Sequence, residues 1–280
     1  MSHVERRLGW AGAIFNALLN RKISYYPRFV KGTSVERIIE PQILAQITSA
    51  LKDVETASPE LLKSHLERGR ETLNEVKALT EYQDAKATRL LTIIAFLSAL
   101  AGVIFGRFAD AYPLKPTVDT YGLSVNSAIV IIDYLCFALF VLAIVSGALV
   151  TFHATLTRFK YPELSSDLVG AEDRRADSHL FYSDMIELCP AAWAKSFIVS
   201  KSATGAATLD PDLALHYVKN YIAESYLIAC KVADKLRYLQ PAQTILSFSI
   251  RTLLIWVLLF GVTSAIVPVT KLPSTVVLMK

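Results

Sequence analysis

Between Asp84 and Arg107 the chain reads DAKATRLLTIIAFLSALAGVIFGR. A charged collar of Asp84, Lys86 and Arg89 leads into Leu90–Gly106, which carries neither charge nor proline and closes on Arg107. A helix needs roughly 17–25 apolar residues to cross a bilayer, so this run is near the lower limit of what can span. Two further runs repeat the pattern. Ser127–Phe152 is uncharged from Tyr134 onward and holds Asp133 within its first two turns. Ile245–Val267 carries Arg251 near its start and Trp256 deeper, and Pro268 ends it. Hydrophobic residues make up 53% of the chain and charged ones only 19%. A soluble domain is ordinarily more charged, and here the apolar excess is gathered into three runs. The fold class that follows is an all-α membrane protein with about three transmembrane helices, a helical cytosolic domain and an oligomeric assembly.

Upstream, Leu8–Leu19 (LGWAGAIFNALL) is apolar but too short to span. Arg6, Arg7, Arg21 and Lys22 flank it, and with Trp10 they suit a helix lying in the membrane interface. A short helix docked on a partner subunit or on the cytosolic domain fits the same residues. Residues 23–34 read as a loop, and Thr33 to Glu36 as a capping box. Ile43, Leu44, Ile47 and Leu51 recur at helical spacing across Gln42–Glu55, with Pro41 interrupting the helix or opening it. Ser58-Pro59 is an N-cap followed by a first-turn proline. No further proline occurs until Pro113. The spacing of Leu61, Leu62, Leu66, Leu73, Val76 and Leu79 therefore predicts one long helix running into the first span, with Gly69 as its weak point. Its polar half carries a narrow apolar stripe amid charge, a pattern suited to sister helices in an oligomer. A solvated helix hairpin is the alternative. Arg107–Asn126, with Pro113 and Pro116, reads as a polar loop.

Residues 160–178 read as a loop, followed by His179-Leu180-Phe181-Tyr182-Ser183-Asp184. Cys189-Pro190 opens a short helix through Trp193 and Phe197. Asp210-Pro211 opens another, with Val218, Tyr221, Leu227 or Ile228, Val232, Leu236 and Leu239 on its apolar face, running close to Pro241. The layout is an N-terminal cytosolic helical region (1–79), two spans with a short outer loop (80–156), a cytosolic helical insert (157–243), and a third span with its tail (244–280). Lys and Arg near the span ends set the orientation. Arg68, Arg70, Lys77, Lys86 and Arg89 precede the first span; Arg158, Lys160, Arg174 and Arg175 follow the second; only Arg107 and Lys115 lie between. The N-terminus and 157–243 are thus expected in the cytoplasm. Three spans then place the C-terminus outside, against the small bias of Lys271 and Lys280.

Catalytic patterns are sparse. His65, His153, His179 and His216 are scattered, with no HExxH, P-loop, GxGxxG or GxSxG. Ser183-Asp184 beside His179 has no placed base and reads as a capped turn. Cys136, Cys189 and Cys230 form no CxxC and read as free thiols. The expectation is a non-enzyme without metal, cofactor or catalytic residue. The net charge of +4 suits anionic lipid or nucleotide, and duplex DNA is not an expected partner.

Some of these residues resemble a known family. Asp84-Ala85-Lys86-Ala87 resembles the D-x-K-A collar of the Pycsar effector transmembrane family, and a second span follows after a short outer loop. Leu180-Phe181-Tyr182-Ser183-Asp184 is similar to that family's L-F-F-G-D motif, with Tyr for Phe and Ser for Gly. Leu188-Cys189-Pro190 resembles its L-S-x-E-E-Y helix start without the acidic pair. The run Ala229–Tyr238 is similar to the helix that leads into the family's last hydrophobic segment. The resemblance covers about Thr80 to Val262. It implies an antiviral defence effector of the bacterial inner membrane, paired with a nucleotide cyclase or nucleotidyltransferase. A nucleotide signal would then control membrane damage or ion leakage and arrest the infected cell, an abortive infection. In a related arrangement, the Hailong-type system, an oligonucleotide holds the effector silent and its loss opens it.

Under that reading the chain expects a nucleotide second messenger or oligonucleotide as its regulatory ligand. One subunit of three spans cannot line a wide pore, so a channel takes several copies with cyclic symmetry, a homo-tetramer being the expected assembly. A charge inside a span faces protein or water, which makes Asp133 and Arg251 pore or gating candidates, Arg251 as a partner of Asp133 or a lipid-head anchor; the alternative is that both lie near span ends and snorkel, the reading favoured for Arg251. They lie near opposite span ends and are not expected to pair. Asp84 and Lys86 are the gating candidates at the boundary. Cationic donors for phosphate are Arg174, Arg175, Lys195, Lys219, Lys231, Lys235 and Arg237, most of them fitting a solvated face equally well. Tyr217 and Tyr221 either stack on a base or pack in the core. The alternative is a membrane scaffold or small transporter; the lack of an inverted repeat counts against a transporter.

Overall fold

In the computed structural model, the described residues are 8–21, 40–55, 58–122, 124–156, 178–181, 185–186, 188–201 and 207–269. The elements in order are α1 (Trp10–Leu18), α2 (Glu40–Ala50), α3 (Pro59–Ala111), α4 (Leu114–Tyr121), α5 (Val125–Thr155), α6 (Pro190–Lys195), the strands β1 (Ile198–Lys201) and β2 (Ala207–Leu209), and α7 (Leu213–Ile266). Helix dominates. Among the described residues, the one departure from an all-α chain is the antiparallel β1–β2 hairpin, whose register is irregular between Ile198 and Ser200. Three helices, α3, α5 and α7, are long and apolar enough to cross a membrane, so this is a membrane protein. The loop read at 23–34, the Thr33–Glu36 capping box, Tyr182–Asp184 and the C-terminal lysines lie outside the described residues.

The chain divides into two compact units. A membrane unit comprises Met1–Lys22, Ala85–Leu156 and Leu236–Lys280; a polar unit comprises Ile23–Asp84 and Thr157–Lys235. The division cuts α3 after Asp84 and α7 after Lys235.

Local signals explain the helices. The Ser58 hydroxyl accepts from the Leu61 N–H at 3.2 Å and starts α3. From Leu66 onward, the positions that turn inward alternate three and four apart: Gly69, Leu73, Val76, Thr80, Gln83, Ala87, Leu90, Ile94, and on to Phe108. This is a heptad period, the pattern of supercoiled helices. The stripe assigned above to sister helices is filled within the chain itself, since Leu73 is only 3% exposed. Its partner is α7, which runs parallel to α3. In the polar unit Gly69 faces Tyr221 and Asp84 meets Lys235, 151 positions away. In the membrane unit Phe105 meets Trp256 and Phe108 meets Phe260, so within that unit too α7 runs parallel to α3. Gly69 is a point of close approach rather than a weak point: a Cβ there would lie 3.1 Å from the Tyr221 Cβ.

Two boundaries differ from the sequence reading. Arg107–Asn126 is not a plain loop. The last turn of α3 continues to Ala111, and α4 follows. Pro116 sits in the first turn of α4, where its missing N–H has no partner to lose. Gly122, at φ +57°, ends that helix, and a Ser124/Ser127 capping box starts α5. Likewise α7 does not stop near Pro241 but runs through it. Tyr238, Leu239, Ala242 and Ile245 are all buried, so packing on both sides of the proline holds the helix.

Candidate functional site

The membrane unit is filled by aromatic rings from its three long helices. Phe105 stacks on Phe137 at 3.9 Å, Phe137 lies 4.9 Å from Trp256, and Phe108 touches Tyr134 and Phe260. Trp256 and Phe108 are fully buried. Outward, Ile93, Phe96, Leu100, Leu135, Leu142, Leu254 and Leu258 are exposed, as lipid-facing side chains must be. Gly147 lets α5 approach α7 closely, since a Cβ there would meet Ile245 at 3.4 Å.

Asp133 is enclosed in this unit with no exposed surface. One carboxylate oxygen accepts a hydrogen bond from the Thr263 hydroxyl, itself fully buried. The other oxygen has no partner among the described residues, nor has the Trp256 indole N–H. A half-satisfied carboxyl in apolar surroundings is costly to bury. It does not meet Arg251, as its position predicts; Arg251 is exposed on α7. Nearby hydroxyls stitch the same end of the bundle. The Tyr134 hydroxyl donates to the Tyr112 carbonyl at 3.0 Å, and the Tyr112 hydroxyl to the Val267 carbonyl at 3.2 Å.

In the polar unit, Ile43 and Leu44 of α2 pack on Ala223 and Leu227 of α7, with Ile47, Phe181 and Cys230 around them. Phe181 of the L-F-Y-S-D segment is therefore a packing residue. His179 lies among Trp193, Phe197 and Tyr217, with ring centroids 5.3–5.7 Å apart. Tyr217 neighbours Tyr221, and Tyr221 covers Gly69. Both tyrosines thus contribute to packing. The Cys189 thiol caps α6, accepting from the Ala192 N–H at 3.4 Å, and none of the three cysteines is in a disulfide.

Among the described cationic candidates, Lys195 and Lys219 stand apart from Lys231, Lys235 and Arg237 in the sequence. Arg174 and Arg175 lie outside the described residues. Lys195 is exposed at the end of α6. Lys219 reaches the Lys52 carbonyl at 3.5 Å. At 1.5 Å per residue it stands about 24 Å along α7 from Lys235, too far for one phosphate to bridge. Lys231 and Lys235 are one helical turn apart, and Arg237 belongs to the membrane unit. Of the gating candidates, Lys86 is half-buried on α3. Asp84 is the one brought into contact: its carboxylate pairs with the Lys235 ammonium at 2.7 Å. Lys235 keeps only 9% of its side chain exposed, against 51% for Asp84. The pair joins the last residues of the polar unit's two segments, α3 to α7.

Sequence reading missed a second polar element. Glu224 is 2% exposed and accepts from the Ser178 hydroxyl at 2.6 Å, while Ser178 Oγ accepts from the N–H groups of Leu180 and Phe181. Burial raises the Glu224 pKa above the usual carboxylate range, and the Ser178 hydrogen bond and the Lys77 charge partly offset this. The signal was present: Glu224 falls at helical spacing between Tyr221 and Ile228, on the face read as apolar. Among the described residues, no three His, Cys, Asp or Glu side chains are placed to hold a metal ion. The chain matches no protein-family model, no curated protein and no solved structure.

Proposed function

We propose that the chain is the membrane effector of a bacterial anti-phage nucleotide-signalling system. Several copies form an ion channel or pore in the inner membrane, with the N-terminus and the polar unit in the cytoplasm. A nucleotide or oligonucleotide, made by a partner cyclase or nucleotidyltransferase, acts on the polar unit. The resulting change in conductance depolarises the membrane and arrests growth. The cellular role rests on the resemblance carried by the Asp84 collar and the segments after it. The observation that supports control of the membrane unit is the Asp84–Lys235 pair. It fastens α3 to α7 at the last residues both helices contribute to the polar unit, so a ligand that competes for Lys235 would release that fastening.

The test is ion or dye efflux from liposomes holding the purified protein, with and without cyclic nucleotides and short oligonucleotides. The proposal expects one class of nucleotide to change efflux. It also expects Asp84→Ala or Lys86→Ala to insert normally but lose the response. Unchanged efflux with every nucleotide, together with harmless expression in cells lacking a neighbouring synthase, refutes it. One observation favours the alternative of a membrane scaffold: Trp256, Phe108 and Phe140 occupy the middle of the helices a single subunit offers. A scaffold would give no efflux under any condition.

A further inference from the structure

We infer that α1 lies in the plane of the bilayer interface, its outer face immersed in lipid beside the end of the bundle where α5 finishes. Helix α1 belongs to the membrane unit and packs on α5. It buries its smallest side chains, Ala13 and Ala17, and holds its place by polar contacts at one level of the bundle. Asn16 Nδ2 donates to the Tyr238 hydroxyl at 3.5 Å, and the Tyr238 ring lies 5.2 Å from the His153 ring. His153 directly follows the last apolar residue of the second span, and Tyr238 sits one turn before the apolar half of α7 begins. That level is the boundary between apolar spans and charged segments, which is the depth of lipid headgroups.

The exposed face of α1 carries no polar residue. Trp10, Ala11, Phe15, Leu18 and Leu19 all point away from the bundle, Trp10 at 61% and Leu18 at 66% exposure. A helix facing water would reverse this order, with its large apolar side chains inward. Phe152 near the end of α5 and Leu156 just past it are exposed apolar residues of the same unit. Arg21 stacks over the Phe15 ring at 5.0 Å, and Asn20, at φ +46°, turns the chain out of the helix there. In sequence, Arg6, Arg7 and Lys22 complete a basic flank at both ends. Apolar side chains in the acyl boundary with cations beside the phosphates is how an interfacial helix binds. The occupant of this face is therefore lipid, and the placement does not depend on any ligand of the polar unit.

The experiment uses the full chain in vesicles of phosphatidylcholine and phosphatidylglycerol. A spin label is placed at Leu18→Cys in a Cys136→Ala, Cys189→Ser, Cys230→Ala background, with Val103→Cys and Glu71→Cys as mid-span and aqueous references. Collisions with oxygen, which concentrates in lipid, are compared with collisions with a water-soluble nickel chelate. The Leu18 label should favour oxygen several-fold over the Glu71 label and report a depth of about 5–10 Å, shallower than Val103. Nickel access equal to that at Glu71 overturns the placement. Shielding from both reagents also overturns it, since a second copy of the chain would then cover the face. If the labelled variant does not fold, quenching of tryptophan fluorescence by brominated lipids decides. The wild type should lose a fraction of its emission that Trp10→Phe does not, and equal quenching in the two refutes lipid contact.

Discussion

The two halves of α3 carry one inward stripe and opposite outer faces. From Leu66 to Gln83 the residues between stripe positions are mostly polar, Glu67, Arg70, Glu71 and Glu75 among them, with Leu79 and Tyr82 as exceptions; from Leu90 to Phe108 they include Ile93, Phe96, Leu100 and Val103, and both sets are exposed. The three–four spacing does not change where the surroundings do. The stripe is set by the helices that α3 packs against, and the outer face by the medium. What fills the seam also differs. Both units hold a close glycine contact and a buried carboxyl, but the membrane unit packs mainly aromatic rings, whereas the polar unit adds an ion pair. Packing in hydrocarbon gains nothing from excluding lipid unless the surfaces fit, which favours large flat rings and close approaches.

The sharpest break of this comparison is Trp256→Ala. It removes a fully buried ring that touches Phe105, Phe108, Phe137 and Phe260. A loss of about 3–5 kcal/mol is expected in detergent unfolding, set against about 2–5 kcal/mol for Leu73→Ala in the polar unit. A smaller cost at Trp256 than at Leu73 would show that the aromatic seam is not where the membrane unit is held. Glycines give the next contrast. Gly102 has nothing within 4 Å of an added Cβ, whereas Gly69 meets Tyr221 at 3.1 Å. Gly102→Ala should gain up to about 1 kcal/mol from helix propensity, and Gly69→Ala should forfeit that gain or reverse it. Equal effects on thermal unfolding would mean that Tyr221 yields freely. Smaller again is the Asp84–Lys235 pair. Asp84 is half exposed, so a double-mutant cycle should return about 1 kcal/mol or less, falling as salt is added. A coupling of zero would leave the pair without a role in joining α3 to α7.

Much of this was legible in the chain. The three spans, the Ser58 start of α3 and the Cys189-Pro190 start of α6 follow from charge-free runs and capping chemistry, which are local. The long reach of α7 was not, because Pro241 reads as a stop until buried neighbours on both sides are known to hold it. The hairpin was missed because strands as short as Ile198–Lys201 and Ala207–Leu209 show too few alternations to carry a period. At the site, Asp133 and Asp84 were visible as charges at span ends, but their partners were not. Thr263 lies 130 positions from Asp133 and Lys235 lies 151 from Asp84, and no spacing rule reaches so far. The cationic candidates are a different case: Lys219 and Lys235 share one helix, and their spacing in sequence already sets them about 24 Å apart along its axis.

Glu224 offers the finest test, because here the polar unit does what the membrane unit does at Asp133, enclosing a carboxyl. Its pKa is raised in the folded state by burial, from an unperturbed 4.5. Between that value and the raised one, the folded chain holds a proton that the unfolded chain has released. Stability therefore falls as pH rises through this window and levels off above it. Glu224→Gln keeps an oxygen to accept from Ser178 and cannot ionise. The difference in unfolding temperature between variant and wild type should thus grow in the variant's favour from pH 4.5 upward, with the other carboxylates cancelling. Because Ser178 and Lys77 offset part of the burial cost, the effect should be small. Replacing Lys77 by Met should enlarge it. A difference that stays flat across the window would mean that Glu224 titrates normally, and that the polar unit solvates its carboxyl in a way the membrane unit cannot.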